Sequence, residues 1–227
     1  MRELLFPKLC VWCNTSWSYI CWSCNKKLIP HPEICIFCHQ ASGGWKTCHR
    51  CLYGWYDLDG CIVWFSYDGI MKQCIKALKY RHRYSYTWLL AQKLSLLLEI
   101  SPHHLLTNSS ITYVPSHRWR RYIVKWYNQS QLLAEAVASS TTIPFIKTIT
   151  KKHHTASQVW LNRDQRKNNL TDAFSRNNRG DRTDQQKTII IVDDVVTTGS
   201  TLNELARTIK TNNPWYTVRW LTLARHS

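Results

Sequence analysis

Thr188-Ile189-Ile190-Ile191-Val192-Asp193-Asp194-Val195-Val196-Thr197-Thr198-Gly199-Ser200-Thr201 is the stretch that decides the fold. Its first five residues are rich in β-branched apolar side chains, the composition of a strand buried on both faces. Two acids end that strand, and a turn of Thr, Gly and Ser follows. Leu202, Leu205, Ala206 and Ile209 then recur at helical spacing. Thr201 with Glu204 forms a capping box, which starts the helix there. A strand, an acidic pair, a hydroxyl-rich turn and a helix together make the ligand-bearing edge of an open α/β sheet.

Each part has a chemical use. Backbone N–H groups at a helix N-terminus favour an anion such as phosphate. Gly199 lets the backbone approach closely, and the hydroxyls of Thr197, Thr198, Ser200 and Thr201 add donors. Asp193 and Asp194 beside such a cradle can hold a sugar's vicinal hydroxyls or a hydrated Mg²⁺. The run resembles the signature by which type I phosphoribosyltransferases bind 5-phosphoribosyl 1-diphosphate (PRPP). The resemblance implies that Asp193 and Asp194 hold the ribose hydroxyls and are the catalytic candidates. It places Val195, Thr197, Thr198, Gly199, Ser200 and Thr201 in the PRPP site, with the loop on the 5-phosphate and Mg²⁺ accompanying the substrate. It names no acceptor and proves no turnover.

The length, 227 residues, suits one α/β domain with a small appendage. Thirty Lys and Arg against fourteen Asp and Glu leave a net charge of +16, which suggests a polyanionic partner. Residues 1–59 carry six basic and four acidic side chains, so nearly all of the excess lies in residues 60–227. The N-terminus offers only Leu4, Leu5 and Phe6 before Pro7, unlike a signal peptide. No apolar run approaches the ~20 residues of a membrane span. These features point to a cytoplasmic protein whose thiols stay reduced.

Eight of the ten cysteines form four Cys-x-x-Cys pairs: Cys10/Cys13, Cys21/Cys24, Cys35/Cys38 and Cys48/Cys51. Two pairs fill the tetrahedral sphere of one structural zinc ion, so two Zn²⁺ are expected. Sequential pairing is simplest, with Cys10, Cys13, Cys21 and Cys24 on one ion and the other four on the second. An interleaved arrangement is also compatible with the spacing. His31, His39 and His49 are spare candidates that rank below a full thiolate set. Reduced surroundings oppose disulfides, and four repeated pairs oppose a redox-active dithiol. Trp12, Trp17, Tyr19, Trp22, Phe37, Trp45, Tyr53 and Trp55 lie among these ligands. Core packing is their expected use in a nearly neutral module this small, with stacking on bases the alternative. Cys61 and Cys74 fall outside the pattern and are expected to be buried or incidental.

Cys61 to Phe65 reads as a strand, and Met71, Cys74, Ile75 and Leu78 as the apolar side of a helix. Lys72, Lys76, Lys79 and Arg83 form a cationic stripe on that helix, which fits either an anionic partner or a solvated face. Tyr86 to Ile100 reads as an apolar core helix, and Ile111 to Val114 as a strand ended by Pro115. Arg118, Arg120 and Arg121 follow as candidates to clamp phosphate, on a segment whose Trp119, Tyr122, Ile123 and Trp126 keep helical spacing. Phe145 to Ile149 reads as a strand and Trp215 to Leu223 as a closing one, with Val218, Trp220 and Leu221 buried. Ser175 to Thr188 lacks apolar residues, as a mobile loop does. No repeat is evident beyond the cysteine pairs.

These pieces, in this order, resemble the ComF (ComFC-type) family of late competence proteins across nearly the whole chain. The matching features are the four cysteine pairs, Tyr67-x-Gly69 with Lys76 and Lys79-Tyr80, and Val114-Pro115 with His117-Arg118 and Arg121. Asn128-Gln129, Leu132 to Ala134, Thr155-x-x-Gln158-x-x-Leu161, Arg166-x-x-Asn169 and Ala173-Phe174 also match. The chain departs from the family at Lys125-Trp126-Tyr127, where Arg-Gly-Phe is usual. Trp126 there disfavours any positive φ. The resemblance implies a type I phosphoribosyltransferase-like α/β domain over 60–227 behind a double Cys₄ zinc module over 1–59. It also implies a role in handling single-stranded DNA during natural transformation, beside a companion DNA-translocating ATPase. The basic surface fits that role, and an active phosphoribosyltransferase of unknown acceptor is the alternative. His117, His153 and His154 are its general-base candidates.

Overall fold

A computed structural model describes residues 8–54, 56–80, 84–100, 108–115, 128–151, 174–176, 188–197, 199–211 and 213–226. Four strands form one parallel sheet in the order β1-β6-β5-β2: β1 Gly60–Ser66, β2 Ser109–Tyr113, β5 Thr188–Val196 and β6 Thr217–Arg225. A separate antiparallel pair joins β3 Ile149–Lys151 to β4 Phe174–Arg176. The described helices are α1 Trp22–Asn25, α2 His49–Gly54, α3 Gly69–Tyr80, α4 Tyr84–Glu99, α5 Gln129–Ser140 and α6 Ser200–Lys210.

The central strands are apolar on both sides because both faces of the sheet are covered. Ile190 and Val192 of β5 join a core with Ile75 and Leu78 of α3, Leu90, Leu94 and Leu98 of α4, and Leu133 and Val137 of α5. Ile189 and Ile191 point the other way, into a core with Leu202, Leu205 and Ile209 of α6. Val218, Trp220 and Leu221 are buried as expected. Cys61 and Cys74 are buried too, and burial pushes both thiols up, Cys74 to about 12.

The cysteine-rich segment shares these cores. Cys10, Ile20, Cys24 and Leu28 lie in the first, and Ile36 and Leu58 in the second. It also covers the outer edge of β1: the Ser66 amide donates to the Ile29 carbonyl (2.9 Å) and the His31 amide to the Trp64 carbonyl (2.8 Å). Covering an edge in this way removes a site for unwanted strand pairing.

Four expectations change. Strand β5 runs on through the acids to Val196, because β6 supplies ladder partners at Ala224 and Arg225. Helix α6 begins at Ser200 with Gly199 as its N-cap, so Thr201 and Glu204 form no capping box at its start; Glu204 pairs instead with Arg207 at 3.1 Å. Of the run Phe145 to Ile149, Phe145 makes a single parallel bridge to Ile111, and Ile149 turns away to open β3. The aromatic residues of the cysteine-rich segment are not mainly core: Trp12 (49%), Trp17 (79%), Trp22 (73%) and Tyr53 (79%) are exposed. The segment draws its core from the sheet and helices, which frees these rings. Trp55 and most of the interval from Ser175 to Thr188 lie outside the described residues.

The segment and the sheet also meet closely at Gly60. Lys46 bridges it, and a Cβ there would lie 2.5 Å from the Trp45 carbonyl oxygen and 3.2 Å from the Arg219 guanidinium. Gly60→Ala should therefore destabilise the chain by about 1–3 kcal/mol, the usual cost of overpacking. Denaturant unfolding measures this, and an unchanged midpoint would contradict it.

Candidate functional site

The acids sit where β5 outruns its neighbour. β2 stops at Tyr113, opposite Val192, whereas β6 accompanies β5 to Val196. Among the described residues no strand accompanies Asp193 and Asp194 on the β2 side, and α3 and α5 supply groups to them. Asn128 caps α5, its side-chain oxygen accepting from the Ser130 and Gln131 amides (3.0 and 3.4 Å), as Asn does at this position. Its side-chain nitrogen donates to the Val114 carbonyl (2.9 Å), tying the helix start to the end of β2. So placed, the Ser130 hydroxyl donates to Asp193 Oδ1 at 2.7 Å. From α3, Lys79 Nζ lies 2.8 Å from Asp194 Oδ2.

The electrostatics follow from this crowding. Burial, then the neighbouring Asp194 charge, push Asp193 up to about 7, against the lowering effects of Ser130, the Asp194 amide and Lys79. Burial alone would lower Lys79, but Asp194, Asp193 and Tyr67 together outweigh it and the net shift is upward. Asp194 is buried and Asp193 half-buried, so both face a medium in which charge needs a partner.

Beyond the acids, Gly199 takes the left-handed conformation (φ 73°) and its carbonyl accepts the first helical bond, from the Asn203 amide at 2.9 Å. The amides opening α6 are thus presented at the sheet's carboxyl edge, beside exposed Thr197 and half-buried Val195, Ser200 and Thr201. Thr198 lies outside the described residues, as do Arg83, Arg118, Arg120, Arg121 and the candidate bases His117, His153 and His154.

The cationic stripe on α3 divides. Lys79 turns to the acids, whereas Lys76 is exposed and Lys72 lies 6.0 Å from the Tyr67 ring. Lys79 therefore leaves the expected stripe and joins the acid site, drawn by Asp194. Sequence reasoning missed Ser130. The signal was present in Asn128, whose N-cap preference puts Ser130 in the first turn.

The cysteines gather as two groups, Cys10, Cys13, Cys21 and Cys24, and Cys35, Cys38, Cys48 and Cys51, each with its sulfurs within 4.8 Å of one another. This is the sequential grouping. Tetrahedral Zn–S bonds of about 2.3 Å place sulfurs about 3.8 Å apart, so each set suits a zinc-sized ion. The charge argues likewise: Thr15 brings Cys13 down to about 6, while burial and the other thiols push Cys24 up to about 12. Holding all four as thiolates would need a cation among them. The groups also share a hairpin: the Cys10 amide donates to the Thr15 carbonyl (2.9 Å) and Cys35 to Gln40 (2.8 Å), with Asn14 and His39 at matching positive φ. The segment is thus a structural repeat, which the sequence did not display.

Among known proteins, the phosphoribosyl transferase domain family matches residues 128–227. Competence protein F of Haemophilus influenzae is 28% identical over 195 residues, 84% of either chain. DNA utilization protein YhgH of Escherichia coli K12 is 30% identical over 216 residues, 85% of this chain and 91% of that protein. The YhgH protein of Salmonella typhi is 30% identical over 219 residues, 92% and 93% of the two chains.

The raised Asp193 carboxyl makes stability depend on pH. Between its ordinary value of 3.8 and about 7, the folded chain keeps a proton that the unfolded chain has released. Stability therefore falls as pH rises through that window. Asp193→Asn should be more stable than the parent by at least ~1 kcal/mol at pH 8, and the gap should narrow as pH falls through the window, closing only below the ordinary carboxylate value of 3.8. Melting curves across this range check it; a gap independent of pH would contradict the assignment.

Proposed function

The chain belongs to the ComF family of competence and DNA-utilization proteins, and from that premise we propose that it binds PRPP and acts on incoming single-stranded DNA. The observation that carries the reading is the meeting of Asp193, Asp194, Ser130 and Lys79 beside the left-handed Gly199 that opens α6. Asp193 and Asp194 take the ribose hydroxyls, and Val195, Thr197 and Thr198 with Gly199, Ser200 and Thr201 surround the 5-phosphate. Lys79, already paired with a carboxylate, is the cation offered to the substrate's anionic groups, and Mg²⁺ enters with PRPP. The cysteine groups of residues 1–59 hold zinc, which fixes that module against the domain of residues 60–227.

The DNA side rests on surface chemistry. Lys72 and Lys76 of α3, with Arg83, Arg118, Arg120 and Arg121, are the phosphate-tracking cations. Exposed Trp12, Trp17 and Trp22 are stacking platforms, and Lys26 Nζ lies 3.6 Å over the Trp22 ring. The names of the relatives support this placement in competence and DNA utilization, and the setting is the cytoplasm, beside a DNA-translocating ATPase. Among the described residues no helix is long and apolar enough to cross a membrane.

One observation favours the second reading, an active phosphoribosyltransferase. Asp193, pushed up to about 7, is a carboxyl able to take or give a proton at neutral pH, which suits general acid–base work. Transfer would displace diphosphate from C1 of PRPP, so diphosphate release, measured with and without single-stranded DNA, decides between binding and turnover.

The test of the main reading pairs two measurements. PRPP with Mg²⁺ should raise the melting temperature of the parent and of Lys72→Gln/Lys76→Gln, but not of Lys79→Gln or Asp193→Asn/Asp194→Asn. Single-strand binding should weaken steeply with salt, and Lys72→Gln/Lys76→Gln should flatten that slope by up to ~1.4, about 0.7 for each DNA phosphate no longer neutralised. An equal PRPP shift in all proteins would remove the acids and Lys79 from the site. An unchanged salt slope would remove Lys72 and Lys76 from the DNA surface.

A further inference from the structure

The two cysteine groups differ in what they touch. The first packs beside α4: Tyr19 lies 4.7 Å from the Tyr86 ring, and Lys93 donates to the Asn25 side chain (2.6 Å). The second lies under the loop that follows the acids. Phe37 sits between Cys35 and Cys38, and a Cβ added to Gly199 would meet its ring carbons at 3.1 and 3.4 Å. The same ring stacks on Tyr56 at 3.6 Å, nearly parallel (8°). Ile36 shares a core with Val196 and Leu202, which flank the loop, and the Asp57 amide donates to the Asn203 side chain in the first turn of α6 (2.7 Å). From the sheet, the Arg225 guanidinium donates to the Ile36 carbonyl (3.2 Å) and contacts His39, pinning the same turn.

We infer that Phe37 is a positioning residue for the phosphate loop, and that the second metal group is the foundation that holds it there. The two ligands flanking Phe37 leave its ring little freedom once a metal closes the group. The Tyr56 stack holds the ring in place as well. Gly199, already in the left-handed conformation, then rests against a fixed wall, and the amides opening α6 keep their orientation before any anion arrives. A loop so preorganised loses less entropy on binding. The first group, packed beside α4, carries no such duty. The inference builds on the PRPP reading but has an arm independent of it.

The test uses the full chain and the variants Phe37→Ala, Phe37→Leu and Phe37→Tyr, none of which removes a cysteine. Zinc content should stay at two ions per chain. Hydrogen exchange of the Asn203 amide, which bonds to Gly199, should quicken about tenfold in Phe37→Ala, less in Phe37→Leu, and return to the parent rate in Phe37→Tyr. PRPP affinity should fall about tenfold in Phe37→Ala and recover in Phe37→Tyr. Exchange at the parent rate in both Phe37→Ala and Phe37→Leu would overturn the inference. Loss of zinc from either would do so too, making the ring a support for the metal rather than for the loop. A parent protein that ignores PRPP would count against the PRPP reading alone, since exchange still decides the role of Phe37.

Discussion

Two successive carboxylates on a buried strand cannot both carry charge without help, and the architecture around β5 supplies it. Lys79 reaches Asp194 from the last turn of α3, and Ser130 reaches Asp193 from the first turn of α5. Both helices are held to the same face of the sheet by apolar side chains, so their polar ends converge where β2 has already stopped. Lys79 answers Asp194, while Asp193 remains raised, its proton poised near neutrality. A site whose resting state leaves one acid short of compensation is suited to a ligand that brings hydroxyl donors, or a metal, to that acid.

The opposite face provides rigidity. There the second cysteine group, Arg225 and the Phe37–Tyr56 stack press on the loop and the first turn of α6. The cysteine-rich segment is thus continuous with the transferase-like fold, contributing to both of its cores and covering the free edge of β1. This arrangement gives a physical reason for joining two four-cysteine groups to a phosphoribosyl transferase domain in one chain. The second cysteine group packs against the loop that opens α6 through Phe37, and exposed Trp12, Trp17 and Trp22 face solvent from the other group.

Much of this was legible in local pattern. The β-branched run of β5, the periodicity of α3, α4 and α6, and the four cysteine pairs each declare their structure within a few residues. What stayed hidden depended on distant partners. β5 outlasts its acids only because β6 pairs with it as far as Arg225. Gly199 supersedes the Thr201 capping box because the chain enters α6 through a left-handed residue seated on Phe37. Lys79 looked like one cation of a surface stripe until α3 docked against β5 and brought it to Asp194. The aromatics of residues 1–59 looked like core because that segment, taken alone, has little else to bury. Folded against the sheet, it buries Ile20, Leu28, Ile36 and Leu58 instead.

The central claim is that three segments far apart in sequence form one PRPP site: the last turn of α3, the first turn of α5 and the loop from Asp193 into α6. Hydrogen exchange of the full chain, with and without PRPP and Mg²⁺, tests it most directly. Protection should appear together around Lys79, around Asn128 to Ser130, and from Asp193 through Asn203, with a single ligand dependence. Protection confined to one of these segments, or lying wholly outside them, would contradict it.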